Sequence, residues 1–219
     1  MFTSPAQAFT ELKQKPVFAL PMWLIIIGTV MVTAWYYSKV DIAWFQVQAL
    51  AAAKVSAAQQ QQLAAAPMRS ILVWGSAIVS PIALIIVVSI SALYFMLAGS
   101  LTNVRYSFKH WFAFNWWASS PQIIGFIPSI LILALSNTAQ KPVNSVLASL
   151  SLNELLLHRP MGSAGYTLLS ALGLVQIAAA CLTYVGVRAW SGRSPLFCLV
   201  MDLLPSVLIY GIWALIAFR

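Results

Sequence analysis

One acidic residue, Asp202, lies inside a long apolar segment of this 219-residue sequence. An ionisable side chain within a membrane span is energetically expensive, so such a residue is a functional candidate by default. A structural role is the competing interpretation. Asp202 lies seven residues after Pro195, about 10 Å along a helix, where a hydroxyl group, Arg188 or Arg193 would satisfy its carboxylate. The sequence leaves both interpretations open.

The other reactive side chains do not have the spacing of a catalytic or metal-binding site. His110 and His158 lie in different polar gaps, and neither has a carboxylate or cysteine at ligand spacing. Cys181 and Cys198 lie in apolar runs without a Cys-x-x-Cys motif, and we expect both to be reduced. A Gly-rich phosphate loop and a paired carboxylate motif are also absent. We therefore expect a protein that is not an enzyme and that uses no cofactor or metal.

The composition excludes an ordinary soluble domain. Apolar residues make up 61% of the chain and charged residues only 7%, whereas soluble domains carry roughly 25% charged residues. The 12 basic and 4 acidic side chains give a net charge of +8. The basic residues are spread singly between apolar runs. This distribution is typical of residues that set membrane topology and contact lipid headgroups. We expect the lipid bilayer as a partner, and no nucleic acid.

The apolar residues form five long runs, each long enough to cross the roughly 30 Å hydrocarbon layer as a helix. The first run is too long for a signal peptide core and has no cleavage site of small residues. The sequence predicts an all-α integral membrane protein, a single transmembrane domain with a bundle of five transmembrane helices. The predicted spans are residues 17–37, 71–98, 116–135, 166–187 and 196–218.

A few polar and proline residues interrupt these runs and are candidate intramembrane polar or hinge positions. Besides Asp202, they are Gln176, Gln122, Pro81, Pro121 and Pro205. Proline frees a backbone carbonyl within a helix, and transporters use such carbonyls to bind ions or to hinge. Prolines are also ordinary in spanning helices, so a structural role stays open. We expect a bend at Pro81 in the long second run, and a helix stop at Gly99.

Two further helices are expected outside the hydrocarbon layer. A short amphipathic N-terminal helix begins after Ser4, with Pro5 at its first position, and Phe2, Phe9 and Leu12 on one face that should rest on the membrane surface. Residues 40–66 are rich in Ala and Gln and predict an extramembrane helix, although a poorly ordered spacer is the alternative. The aromatic tract of residues 111–117 is interpreted as an interfacial anchor.

Orientation follows from the basic residues near the ends of the spans. With the N-terminus inside, six basic residues lie on each side of the membrane, but the inner segments are shorter and hold them at higher density. Because short loops close to spans have the strongest orienting effect, we expect a cytoplasmic N-terminus and an external C-terminus.

Several stretches together resemble the Yip family of Ypt/Rab-interacting membrane proteins, in its short prokaryotic form. They are Ser4-Pro5, Phe9 and Lys15-Pro16; SFKHWF at 107–112 leading into WASSPQII at 117–124; and SLNE at 151–154, YVGVR at 184–188 and SGRS at 191–194. The resemblance implies a five-helix bundle with a cytosolic N-terminus that acts through other membrane proteins. The sequence lacks the long cytosolic N-terminal region of eukaryotic members, so a Rab-binding role is not expected. We expect the protein in a prokaryotic cytoplasmic (inner) membrane.

Together these observations predict a non-enzymatic accessory or scaffold protein that associates with another integral membrane protein or transporter complex, such as an exporter. The alternative is a small permease or channel for a solute or lipid, with Asp202 in the pathway.

Overall fold

The computed structural model describes residues 4–53 and 67–218 of the chain, and helices dominate them. The helices are α1 (Pro5–Gln14), α2 (Ala19–Lys39), α3 (Ile42–Ala53), α4 (Met68–Leu101), α5 (Phe108–Ala118), α6 (Pro121–Leu135), α7 (Val143–Leu147), α8 (Tyr166–Ala171), α9 (Leu174–Ser191) and α10 (Pro195–Ala217). A single π-helical turn, Asn153–Leu157, lies between α7 and α8.

Five helical segments of the described part are long and apolar enough to cross a membrane. They are Ala19–Lys39, Met68–Leu101, Phe108–Leu135, Leu174–Ser191 and Pro195–Ala217. The expected all-α membrane fold with five spanning helices is therefore confirmed. Of the expected helix at residues 40–66, the structure gives α3, and residues 54–66 lie outside the described part.

One helix end, that of α4, differs in detail from the expected stop at Gly99. Helix α4 continues through Pro81 and past Gly99 to Leu101, and Asn103 then adopts the left-handed conformation, with φ of 62°. The amide of Val104 donates a 2.8 Å hydrogen bond to the carbonyl of Gly99, which closes the helix end as in a Schellman motif. Asn103 therefore makes the stop, and Gly99 is needed because a Cβ there would collide with the Val104 carbonyl.

The expected fourth span, residues 166–187, is divided in the structure. Helix α8 ends at Ala171 and α9 begins at Leu174, with an isolated β-bridge between Gly173 and Ser151 in the gap. A Cβ on Gly173 would collide with backbone atoms of Leu150 and Ser151. Backbone pairing with the loop that contains Ser151 therefore interrupts the helix at Leu172 and Gly173. The apolar pattern of the sequence does not encode this contact.

The described residues fall into two compact units. The first unit consists of Met1–Ile26, Ile82–Ile124 and Val175–Trp213. Its core is an aromatic cluster in which Trp111 and Phe114 of α5 pack against Phe95, Phe9 and Trp190. Trp111, Phe114 and Phe9 have no exposed surface at all.

This cluster corrects two expectations. Trp111, Phe114 and Trp116 are buried in protein, so much of the aromatic tract is core and not an interfacial anchor. The α1 face that carries Phe9 and Leu12 is likewise packed against protein, so this face does not rest on the membrane surface. An amphipathic stripe looks the same in sequence whether lipid or a neighbouring helix covers it, which explains both errors.

The second unit consists of Ile27–Pro81, Gly125–Leu174 and Ala214–Arg219. Its core is formed by Val32, Tyr36, Val40, Leu133 and Val146. The phenol of Tyr36 donates a 2.8 Å hydrogen bond to the carbonyl of Lys141.

Basic side chains in the second unit close helix ends. Lys39 donates a 2.7 Å hydrogen bond to the carbonyl of Leu133, in the last turn of α6. Arg69 donates to the carbonyls of Tyr37, Ser38 and Val40 around the end of α2. The last carbonyls of a helix have no partner within it, and cations are favoured there.

Candidate functional site

The candidate site lies in the first unit and is built on the faces of α9 and α10. Gln176 and Thr183 are two turns apart on α9, and Asp202, Ser206 and Tyr210 recur every four residues along α10. Residues at these intervals share one side of a helix. Each helix therefore carries a polar stripe in an otherwise apolar span.

A cavity of about 220 Å³ lies along these stripes. Helix α4 adds Ser91 and Phe95 to its wall, and α5 adds Asn115. The remaining lining residues are Gln176, Ala179, Ala180, Thr183, Asp202, Pro205, Ser206 and Tyr210. The cavity thus combines one carboxylate with amides and hydroxyls, and its described lining contains no basic side chain.

Asp202 is the only ionisable acid of this lining, and its side chain is 7% exposed. Among the described residues, no group donates a hydrogen bond to its carboxylate. The two basic donors expected from the sequence, Arg188 and Arg193, are engaged elsewhere. Arg193 donates to the carbonyl of Thr102 at 2.7 Å, and Arg188 lies 3.5 Å from the hydroxyl of Tyr184. Asp202 is therefore a largely buried residue whose carboxylate has no hydrogen-bond donor in the described part of the chain.

The backbone beside Asp202 is satisfied from another helix. Pro205 has no N–H, so the carbonyl of Met201, four residues earlier, loses its intrahelical donor. The phenol of Tyr94 on α4 donates a 2.9 Å hydrogen bond to this carbonyl. The acceptor that Pro205 releases is therefore hydrogen-bonded to another helix in the structure.

A hydrogen-bonded group of α4 and α5 also lines the cavity. The hydroxyl of Ser91 donates to the side-chain oxygen of Asn115 at 2.7 Å. The amide nitrogen of Asn115 donates to the carbonyl of Trp111 at 2.7 Å. Asn115 is 7% exposed and is held in one orientation by these two bonds, so this part of the wall is preformed.

A comparison with models of known protein families finds a match over nearly the whole chain. The family model described as Yip1 domain matches residues 1–216. The chain belongs to the Yip1 domain family. The resemblance drawn from the sequence stretches is thereby confirmed, and the chain is a multi-pass integral membrane protein. No curated protein and no solved structure matches it.

Of the candidate positions predicted for this Yip1 domain, Asp202, Gln176 and Pro205 line one cavity, and three others do not. Pro81 lies within α4. Pro121 is the first residue of α6, a position that suits proline because its missing N–H needs no partner there. Gln122 follows it, and its backbone amide donates to the carbonyl of Ser119.

Sequence reasoning missed five polar residues of the cavity. Ser91, Asn115, Thr183, Ser206 and Tyr210 were not singled out, although all line it. The four-residue spacing of Asp202, Ser206 and Tyr210 was a usable signal for a polar stripe. For Ser91 and Asn115 no signal existed, since their helices reach the cavity only through the tertiary fold.

The chemistry of this site in the Yip1 domain is that of a hydrogen-bond acceptor in an apolar setting. A buried carboxylate attracts a positive or hydrogen-bond-donating group, and neighbouring amides and hydroxyls orient that group. In the described part of the chain, no group of three or more His, Cys, Asp or Glu side chains has a metal-binding arrangement. The site therefore suits binding of a donor group.

Proposed function

We propose that the protein is a non-enzymatic accessory or scaffold subunit that binds a larger membrane complex, such as an exporter, and that the Asp202 cavity docks a spanning helix of the partner. The observation that carries this proposal is the carboxylate of Asp202, which belongs to a largely buried residue, lines the cavity and has no hydrogen-bond donor among the described residues. A charged side chain at the centre of a spanning helix costs about 2.5–3.5 kcal/mol on insertion scales. A donor on a partner helix would remove that cost.

The rim of the cavity supports docking of a helix. Gln176 and Ser206 line the cavity and are exposed, although both belong to spanning helices. Exposed amides and hydroxyls in lipid favour hydrogen bonds to a neighbouring helix. Ala179 and Ala180, on the same wall, are small and permit a close approach of backbones.

The proposed location is the cytoplasmic membrane of a prokaryote, with the N-terminus inside and the C-terminus outside. The density of basic residues near the inner span ends supports this orientation.

Two substitutions at one position test the docking proposal. Asp202→Asn keeps the shape and much of the hydrogen bonding, whereas Asp202→Leu leaves the partner's donor unpaired. After extraction in mild detergent, we expect the Asn variant to co-purify with the partners of the wild type, identified by mass spectrometry, and the Leu variant to lose them. Gln122→Leu, which removes a polar side chain outside the cavity, is the matched control. Unchanged partner recovery with a folded Leu variant would contradict the proposal.

A second candidate function is a small permease or channel with Asp202 in the pathway. It is favoured by the same cavity composition, because an acid among neutral polar groups suits a carrier coupled to protons or cations. Purified protein in liposomes would then support solute or lipid flux without a partner. A well-folded Asp202→Asn variant that keeps its partners but loses flux would favour this function over docking.

A further inference from the structure

A second cavity of the first unit lies where the chain passes from α1 into the spanning helix α2. It has a volume of about 340 Å³ and is lined by Ala8, Glu11, Leu12, Lys15, Val17 and Trp117. Its lining combines two charged side chains of opposite sign, Glu11 and Lys15, with apolar side chains. The docking proposal for Asp202 uses none of these residues.

The walls of this cavity are held in place by hydrogen bonds from two tryptophans. The indole Nε1 of Trp117 donates to the carbonyl of Val17 at 2.8 Å, which fixes the turn before α2. The indole Nε1 of Trp190 donates to the carbonyl of Phe9 at 2.7 Å, which fixes α1. The cavity is therefore preformed, because both elements that flank it are attached to the helices beneath.

The two charges of the cavity do not neutralise each other. A Glu and a Lys at positions i and i+4 of a helix usually form an ion pair. Here α1 ends at Gln14, and Lys15 has an extended backbone, with φ of −132° and ψ of 93°. In the described part of the chain, the only polar contact of the Glu11 carboxylate is a 3.1 Å hydrogen bond from the Gln7 amide. Both charges are exposed and available to a ligand.

We propose that this cavity binds the headgroup of a zwitterionic phospholipid that carries a primary ammonium group. The phosphate lies against Lys15 and the ammonium donates to Glu11, while the first part of an acyl chain lies along Val17 and Trp117. The volume is near the lower end of the range for ligand pockets, roughly 300–1,000 Å³. It therefore suits a headgroup with the start of a chain.

A primary ammonium is favoured over a quaternary one by the residues present. A carboxylate forms short, strong hydrogen bonds with N–H donors, and a choline group has none. Quaternary ammonium groups are bound by cages of several aromatic rings, whereas this cavity has one aromatic wall, Trp117. Glu11 and Lys15 thus provide selectivity for the headgroup. Because Val17 and Trp117 contact the acyl chain, an intact lipid should bind more tightly than a free headgroup.

Native mass spectrometry of the full-length protein in mild detergent tests this proposal. The probes are phosphatidylethanolamine, phosphatidylcholine and phosphatidylglycerol with identical acyl chains, together with soluble glycerophosphoethanolamine. We expect the ethanolamine lipid to bind about tenfold more tightly than the choline lipid, the scale of one charge-assisted hydrogen bond. Glu11→Gln should remove this preference, and Lys15→Gln should weaken binding of both lipids.

Lys109→Gln is the matched control, because Lys109 is an exposed cation outside the cavity, and it should leave the lipid preference unchanged. Each variant is accepted only if its melting temperature stays near that of the wild type. If Glu11→Gln fails to fold, Ala8→Phe fills the cavity without removing a charge and should also abolish the preference.

Three results would overturn the proposal. Equal binding of the ethanolamine and choline lipids would show that Glu11 does not recognise the ammonium group. Tighter, Lys15-dependent binding of phosphatidylglycerol would show that the cavity recognises phosphate alone. Equal competition by soluble glycerophosphoethanolamine would show that the apolar wall contributes nothing and that the ligand is not a membrane lipid.

Discussion

The phenol of Tyr94 on α4 donates its hydrogen bond to the carbonyl of Met201 on α10, the acceptor that loses its helical donor because residue 205 is proline. A backbone hydrogen bond that is missing beside Asp202 is thus replaced by one from a side chain of another spanning helix. The bond also connects the two helices next to the Asp202 cavity, so its loss has a measurable consequence for stability.

The first prediction concerns this bond and uses a double-mutant cycle. Tyr94→Phe should destabilise the protein by about 0.6–1.7 kcal/mol, from the average to the largest value measured for hydrogen bonds between membrane helices. Pro205→Ala restores an N–H that can satisfy Met201 from within α10, so Tyr94→Phe should cost less in that background. Unfolding in mixed detergent micelles measures the four proteins. Strict additivity of the two substitutions would contradict this account.

The second prediction concerns a helix glycine in the aromatic core. A Cβ on Gly186 would collide with the ring of Phe114, and that ring is packed against Phe9, Phe95 and Trp190. Because the ring has no space to move, Gly186→Ala should destabilise the protein by about 1–3 kcal/mol. The measurement is the free energy of unfolding or the melting temperature in detergent.

Gly211→Ala is the control for this prediction, since a Cβ on Gly211 meets nothing within 4 Å. Both glycines lie inside helices, so alanine brings the same gain in helix propensity, up to about 1 kcal/mol. Gly211→Ala should therefore be neutral or stabilising. Equal effects of the two substitutions would show that Phe114 is free to move aside.

The third prediction concerns the closure of α2 by Arg69. Its guanidinium donates to three carbonyls, at 2.9 Å to Tyr37, 2.6 Å to Ser38 and 3.0 Å to Val40. Arg69→Gln should cost about 1.5–3 kcal/mol, the value of hydrogen bonds from a charged group. Thermal unfolding in detergent measures it, with Arg105→Gln at an exposed loop position as the control.

Arg69→Lys separates geometry from charge. Lysine keeps the positive charge near the helix end but lacks the planar fork that reaches several acceptors. We expect it to recover less than half of the lost stability. If Arg69→Lys is as stable as the wild type, the charge alone is sufficient, through its interaction with the helix dipole.

The fourth prediction concerns orientation. A reporter that is active only outside the cytoplasm, fused after Arg219, should be active because we expect the C-terminus outside. A cytosolic reporter at the same position should be silent. The reverse pattern would contradict the orientation or the presence of five spans, and the same pair of reporters before residue 4 provides the internal control.

Long local patterns explain the part of the fold that could be predicted. A run of some 20 apolar residues is helical in a membrane whatever surrounds it, because lipid offers no hydrogen bonds to the backbone. The five spanning helices and the family resemblance were therefore visible in the sequence. Asp202 was visible as well, since an acid in such a run stands out without any knowledge of its neighbours.

The tertiary structure alone decided which side chains meet. Asn115 and Ser91 reach the Asp202 cavity from separate helices, and Trp111 is buried in protein where the sequence suggested a lipid interface. Gly173 interrupts a predicted span because the backbone of Leu150 lies against it. In each case the sequence specifies an apolar or polar face of a helix. Which residues or lipids cover that face depends on how distant helices pack together, and local periodicity contains no information about that packing.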